Sequence, residues 1–324
     1  MTVAAQLPMA ISGAPQASAA QPTIAQPLCV PARDGFSLGA TWFKAATESS
    51  SRWLIINSAT AVPQRYYRHF ASYMSAAGFN VLTFDYRGMG LSRPQSLRGF
   101  RALASDWAEL DMAGVIDWVH DEHGPEQLIV VGHSIGGQLM GLVDNPHKVD
   151  AMLTVSSQSG YWRLQGGEQK WAVLAHMHLT FPVLSRLFGY MPWSKLGSSE
   201  DMPQAAALQW AAWCRHPDYV LGDARLPLQR YQHFSAPVLA YSVADDKWGT
   251  ARAVDAMMRA YPQVERRHIQ PQTWGLKQLG HFGYFRPSAQ VLWSEALEWL
   301  DSLPQAQRLT GVVHSGSPCW SLRQ

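Results

Sequence analysis

The chain has 324 residues, with 26 Lys and Arg against 24 Asp and Glu, a formal charge of +2. With 47% hydrophobic and 15% charged residues it has the composition of a globular chain able to bury a large core, and the absence of a basic tract removes any electrostatic case for nucleic acid or an anionic membrane. Cys29, Cys214 and Cys319 are too scattered for a disulfide scaffold or a Cys-rich zinc site and fit a reducing cytoplasm, the location expected on this ground.

Residues 1–26 carry no charge and are rich in Ala, Gln and Pro; Pro8, Gly13 and Pro15 break the only apolar stretch a secretory signal would need, so a disordered leader is expected. From there, short apolar runs alternate with helical patterns, as parallel βαβ units require. Residues 28–32 and 36–43 read as a hairpin turning at Asp34-Gly35. Residues 53–57 read as a buried strand. Tyr66, Phe70, Tyr73, Met74 and Ala77 then fall at helical spacing, closed by Gly78. A strand over 80–85 follows. Leu103, Trp107, Leu110, Gly114 and Trp118 mark a second amphipathic helix, and 128–131 the strand after it.

Strands over 151–156 and 238–243 complete the pattern, with a helix through Val254, Met257, Met258 and Tyr261, a strand over 265–270 and a last helix over 294–300. Between 156 and 237 lie about 80 residues with no strand signal but with helical pieces over 171–187 and 204–214. A single connection needs only a short loop, so this stretch predicts an inserted helical cap. The resulting expectation is an α/β fold with a mostly parallel central sheet flanked by helices. Its parts are a leader (1–26), a core in two segments (27–157 and 237–303), the cap (158–236) and a flexible tail (304–324). No apolar run is long enough to span a membrane.

The chemistry centres on Gly132-His133-Ser134-Ile135-Gly136-Gly137. A nucleophilic serine on a strand-to-helix turn needs small neighbours, because the backbone is strained there and the helix packs close behind. Here G-x-S-x-G follows an apolar strand and opens a helix. A serine hydroxyl also needs a base, and the base an orienting acid. For this kind of turn the chain order should be Ser, then Asp or Glu, then His. Asp245-Asp246 directly follow the strand over 237–243, and His281 lies 35 residues after Asp246, ahead of the last helix. The N–H of Ile135 is one expected oxyanion donor, with Ala59 or Thr60 as the other.

Taken together, these residues resemble the α/β-hydrolase superfamily over roughly 28–303, and the resemblance implies the α/β-hydrolase fold. Phe84-Asp85-Tyr86-Arg87-Gly88-Met89-Gly90-Leu91-Ser92 is similar to that superfamily's D-x-R-G-x-G-x-S loop after its fourth strand. Ala59-Thr60-Ala61-Val62-Pro63-Gln64-Arg65-Tyr66-Tyr67 and Gly280-His281-Phe282-Gly283 resemble a group of uncharacterised bacterial esterase- or lipase-like serine hydrolases. The family phrase for the acid places it on Asp246, although the family glycine falls on Val243; Asp245 is the other candidate, or a cap for the following helix. Many members carry His-Gly after the third strand, where this chain has Asn57-Ser58-Ala59-Thr60.

The expectation is therefore a serine hydrolase cleaving a carboxylic ester or related acyl bond, with Ser134 as nucleophile, His281 as base and Asp246 as acid. No nicotinamide, flavin or metal motif is present, so no cofactor is expected. His176 and His178, two apart on different helix faces, argue against a shared metal. The alternatives are an acyltransferase using the same residues and a non-enzymatic binding protein on a hydrolase scaffold. Arg87 is a candidate for holding an acidic substrate group or for fixing its loop, and His133 for packing.

Of the 14 tryptophans, those at 107, 118, 293 and 299 fit helix packing. Trp248, Trp274 and the cap residues Trp162, Trp171, Trp193, Trp210 and Trp213 are candidates for lining a pocket, with Thr60 beside them. They point to a small-molecule acyl substrate that is partly apolar or aromatic.

Overall fold

The computed structural model describes residues 24–303 except 48 and 198. The expected tail and all but the last three residues of the expected leader lie outside the described residues. The chain forms β1 (Ala25–Pro31), β2 (Ser37–Phe43), β3 (Arg52–Asn57), α1 (Arg68–Ala76), β4 (Asn80–Phe84), α2 (Ala113–His123), β5 (Gln127–His133), α3 (Ile135–Gln138) and β6 (Ala151–Val155). Then come α4 (Gln169–Ala175), α5 (Phe181–Phe188), β7 (Tyr190–Met191), β8 (Met202–Pro203), α6 (Gln204–Arg215) and α7 (Arg230–His233). β9 (Val238–Val243), α8 (Ala251–Met258), β10 (Val264–Ile269) and α9 (Gln290–Ser302) close the fold. Ala25 and Gln26, assigned above to the leader, are the first residues of β1.

Eight strands make one sheet in the order β1-β2-β4-β3-β5-β6-β9-β10, while β7 and β8 pair with each other. β2 runs antiparallel to β1 and β4; every other pairing in the large sheet is parallel. The inner strands are apolar runs because both of their faces are covered. Successive residues alternate between two cores. Ile55, Leu82, Val130 and Met152 face α2 with Val115, Ile116 and Val119. Leu54, Ile56, Val81, Ile129, Val131 and Leu153 face α1 and α9, packing with Phe70, Met74, Trp293 and Leu300.

The chain leaves β3 for β4 on one side and later returns to β5 on the other. Their C-terminal ends therefore open a crevice at a topological switch point, where α/β sheets place their ligands. The loop after β3 and the turn after β5 meet there.

Residues 156–237 leave the sheet between β6 and β9 and carry α4 to α7. The helix expected over 171–187 spans α4, a π-helical turn at His176–Thr180 and α5. The wider turn sits just before Pro182, which has no N–H to donate to the preceding turn. The stretch is not free of strands, as the sequence had suggested: β7 and β8 are two residues each, too short to leave a period-2 pattern.

Candidate active site

Ser134 stands alone between β5 and α3, with φ 51° and ψ −118°. A non-glycine residue at positive φ costs of order 1–3 kcal/mol and persists only where its surroundings enforce it. They do so here by close approach. A Cβ on Gly136 would overlap the backbone oxygen of Asn57, and one on Gly132 would lie 2.5 Å from the Cα of Gly137. Only glycines let α3 start this close behind the strand ends.

The two consecutive carboxylates after β9 have separate partners. Asp246 Oδ2 lies 2.8 Å from His281 Nδ1, and its Oδ1 accepts the backbone N–H groups of Trp248 and Gly249, each at 2.8 Å. Asp245 accepts the N–H of Leu279 at 3.0 Å and of Gly280 at 2.9 Å. It thus holds the loop that carries His281, while Thr250 caps α8 in the role that Asp245 was a candidate for. Burial works to raise the Asp246 pKa, but the charge and hydrogen bond of His281 and the Gly249 amide outweigh it and bring it down to about 2.

A carboxylate whose folded-state pKa lies below its unfolded value stabilises the fold above the unfolded pKa, and that contribution is lost as pH falls through the folded one. Between pH about 5 and about 2, urea unfolding of the wild type is expected to lose about 2 kcal/mol more than that of Asp246→Asn. Equal acid sensitivity in the two proteins would contradict the pairing.

A buried chain of hydrogen bonds ties the two sides of the crevice together. The Ala59 N–H donates to the Tyr67 hydroxyl at 2.8 Å, and that hydroxyl lies 2.8 Å from His133 Nδ1. His133 Nε2 lies 2.9 Å from the backbone carbonyl of His281. A carbonyl only accepts, so Nε2 carries the proton and Nδ1 accepts from Tyr67. Burial, with the nearby His281, pulls the His133 pKa down to about 3, so the ring is neutral. Packing was therefore an incomplete account of His133.

The same chain corrects the expectation for Ala59: its amide is committed to Tyr67 and does not face the crevice as a free donor. The amides of Thr60 and Ile135 have no acceptor among the described residues, and an amide at the first position of a helix has none within it.

Ser134 and His281 border one cavity, together with Thr60, Trp248 and, from the excursion, Trp193 and Trp210. Trp248 packs beside the His281 ring, their centroids 5.9 Å apart. The other expected tryptophans lie elsewhere. Trp213 is buried and donates to Asp223, Trp171 is 57% exposed against Trp162, and Trp274 is partly buried against the core that α1 and α9 share.

Arg87 is not at the cavity either. Its guanidinium donates to Asp111 at 2.7 Å and to both oxygens of Asp34 at 2.7 and 2.8 Å, so it fixes the loop after β4. Its neighbour in that loop, Asp85, accepts the N–H groups of Gln64 and Leu91, joining the β3 and β4 loops. Sequence reasoning also passed over Gln138, Gln158 and Tyr219, which border the cavity. Only Gln138 carried a signal, standing one helical turn after Ser134.

A family model of the alpha/beta hydrolase fold matches residues 60–212. Among solved structures, the chain is similar to an esterase of Pyrococcus furiosus (16% identity, 87% of this chain and 91% of that one, TM-score 0.56). It is likewise similar to an esterase of Exiguobacterium antarcticum (12% identity, 85% and 99%, TM-score 0.54) and to mouse alpha/beta hydrolase domain-containing protein 10 (15% identity, 86% and 100%, TM-score 0.54). At these identities the likeness is one of fold. No curated protein sequence matches. With its sheet order, its serine turn and this family match, the chain has the α/β-hydrolase fold. None of the described helices is long and apolar enough to cross a membrane.

Proposed function

We propose that the protein is a serine hydrolase of acyl compounds, most simply carboxylic esters. The observation that carries this reading is the 2.8 Å contact of His281 Nδ1 with Asp246 in a loop pair bordering the same cavity as the strained Ser134. Asp246 accepts at Nδ1, which leaves Nε2 of His281 unprotonated and able to take the Ser134 proton as the hydroxyl attacks the acyl carbon. The oxyanion that forms is stabilised by the N–H groups of Ile135 and Thr60. The imidazolium returns its proton to the leaving alkoxide. A water, deprotonated by the same Nε2, then releases the acid and regenerates Ser134.

Residues 158–236 act in this reading as a cap that supplies the cavity's aromatic wall. Incubation with a fluorophosphonate is expected to phosphonylate Ser134 stoichiometrically, read by mass spectrometry of the peptide. A wild-type protein that stays unlabelled while folded overturns the proposal.

A further inference from the structure

The residues that line the cavity include a directional chain of uncharged polar groups. Trp210 Nε1 donates to the Tyr219 hydroxyl at 2.9 Å, and that hydroxyl donates to Gln138 Oε1 at 2.8 Å. Gln138 Nε2 lies 3.4 Å from Gln158 Oε1, a long final link. An indole N–H donates and never accepts, so the direction is set at Trp210. Turning the Gln138 amide round would aim two donors at the Tyr219 oxygen and leave the buried tyrosine proton unpaired. The chain therefore runs one way and ends on Gln158 Nε2, which has no acceptor among the described residues. Gln138 and Gln158 are both buried, at 2% and 5% exposure, and both border the cavity. Among the described residues, no Asp, Glu, Lys or Arg lines it.

Resting on the acyl-hydrolase reading, we infer that Gln158, oriented through Gln138, Tyr219 and Trp210, is a specificity-determining residue. It selects neutral acyl substrates with a second hydrogen-bond acceptor, such as a ketone or a second ester carbonyl, away from the scissile bond. A hydrocarbon at this place strips water from a buried amide and returns no acceptor, whereas a carbonyl oxygen restores the bond. A carboxylate would also accept, but it would be buried with no cation beside it.

The experiment uses p-nitrophenyl esters of straight-chain acids of increasing length. Each is compared with counterparts carrying one ketone along the chain and one bearing a terminal carboxylate, with kcat/KM normalised to the hydroxide-catalysed rate. In the wild type, at least one ketone position is expected to exceed its hydrocarbon counterpart by about 10-fold or more, with the carboxylate ester below both. In Gln158→Met that ratio falls toward one, and in Gln158→Glu, which keeps the shape but exchanges donors for an acceptor, it inverts.

A wild type with no ketone advantage, or an advantage that survives in folded Gln158→Met, overturns the inference. If the wild type hydrolyses none of the esters, the hydrolase reading fails separately. The subsite is then read by tryptophan-fluorescence titration of Ser134→Ala with keto and alkyl amides of equal length. Tighter binding of the keto amide upholds the subsite, and equal binding overturns it.

Discussion

Ser134→Ala is expected to lower kcat for ester hydrolysis by roughly 10⁶-fold, and Asp246→Asn by roughly 10⁴-fold. The first change removes the atom that forms the acyl-enzyme. The second leaves a side chain of the same shape that can present an N–H to His281 Nδ1. That favours the tautomer with its proton on Nε2, where no base is left for Ser134. Because the two residues serve one proton transfer, the double variant should be little worse than Ser134→Ala alone. Stopped-flow or long-time p-nitrophenol release, with circular dichroism to show that each protein is folded, decides the matter. Hydrolysis persisting near wild-type rate in folded Ser134→Ala would end the serine-hydrolase reading.

Arg87→Ala should lower stability to urea by about 3–5 kcal/mol, because it strands a carboxylate rather than because it removes an attraction. Asp111 is fully buried, and it accepts both the Nε–H and the backbone N–H of Arg87. Without the guanidinium its charge has no counterpart. Replacing both residues together, Arg87→Met with Asp111→Leu, should cost much less than Arg87→Ala, since no charge is then left alone. The same Arg87→Ala protein tests the rejected role in substrate binding. Its ratio of kcat/KM for neutral against carboxylate-bearing esters should match the wild type, as Arg87 does not border the cavity. A selective loss on the carboxylate ester would restore that role.

The sheet was legible in the sequence because strands buried on both faces must be written as apolar runs, and β3, β4, β5, β6 and β9 are so written. The helices were legible where they cover that sheet, as α1, α2, α8 and α9 do. The serine turn was legible because its glycines answer a steric demand: α3 cannot begin over Asn57 with any other side chain at 136. Less was legible wherever the answer depends on which loop meets which.

Asp245 and Asp246 are adjacent and chemically identical, and only the fold sends one to a backbone and the other to an imidazole. Ala59 was an expected donor until the hydroxyl of Tyr67, eight residues on, is seen to accept its N–H. Arg87 follows a strand end, as a ligand-binding arginine would, but meets Asp34 and Asp111 across a distance no local pattern records. The tryptophans of the excursion looked alike in composition, yet only Trp193 and Trp210 reach the cavity. The Gln138 and Gln158 amides leave no motif, because an uncharged side chain gains its meaning from partners far along the chain.

The hydrogen bonds running from Ala59 through Tyr67 and His133 to the carbonyl of His281 have a consequence for how this scaffold can diversify. Loops at the end of an α/β sheet are ordinarily exchangeable one at a time. Here the segment following β3 and the one following β10 share a single buried proton order, so neither can be regrafted without the other. A swap that changes 67 or 133 alone leaves a stranded donor or acceptor in the interior, at a cost of about 1–3 kcal/mol. New specificity is more readily acquired along residues 158–236, which border the cavity without entering that chain, and recombination libraries built there should retain folded members more often than libraries built on either loop.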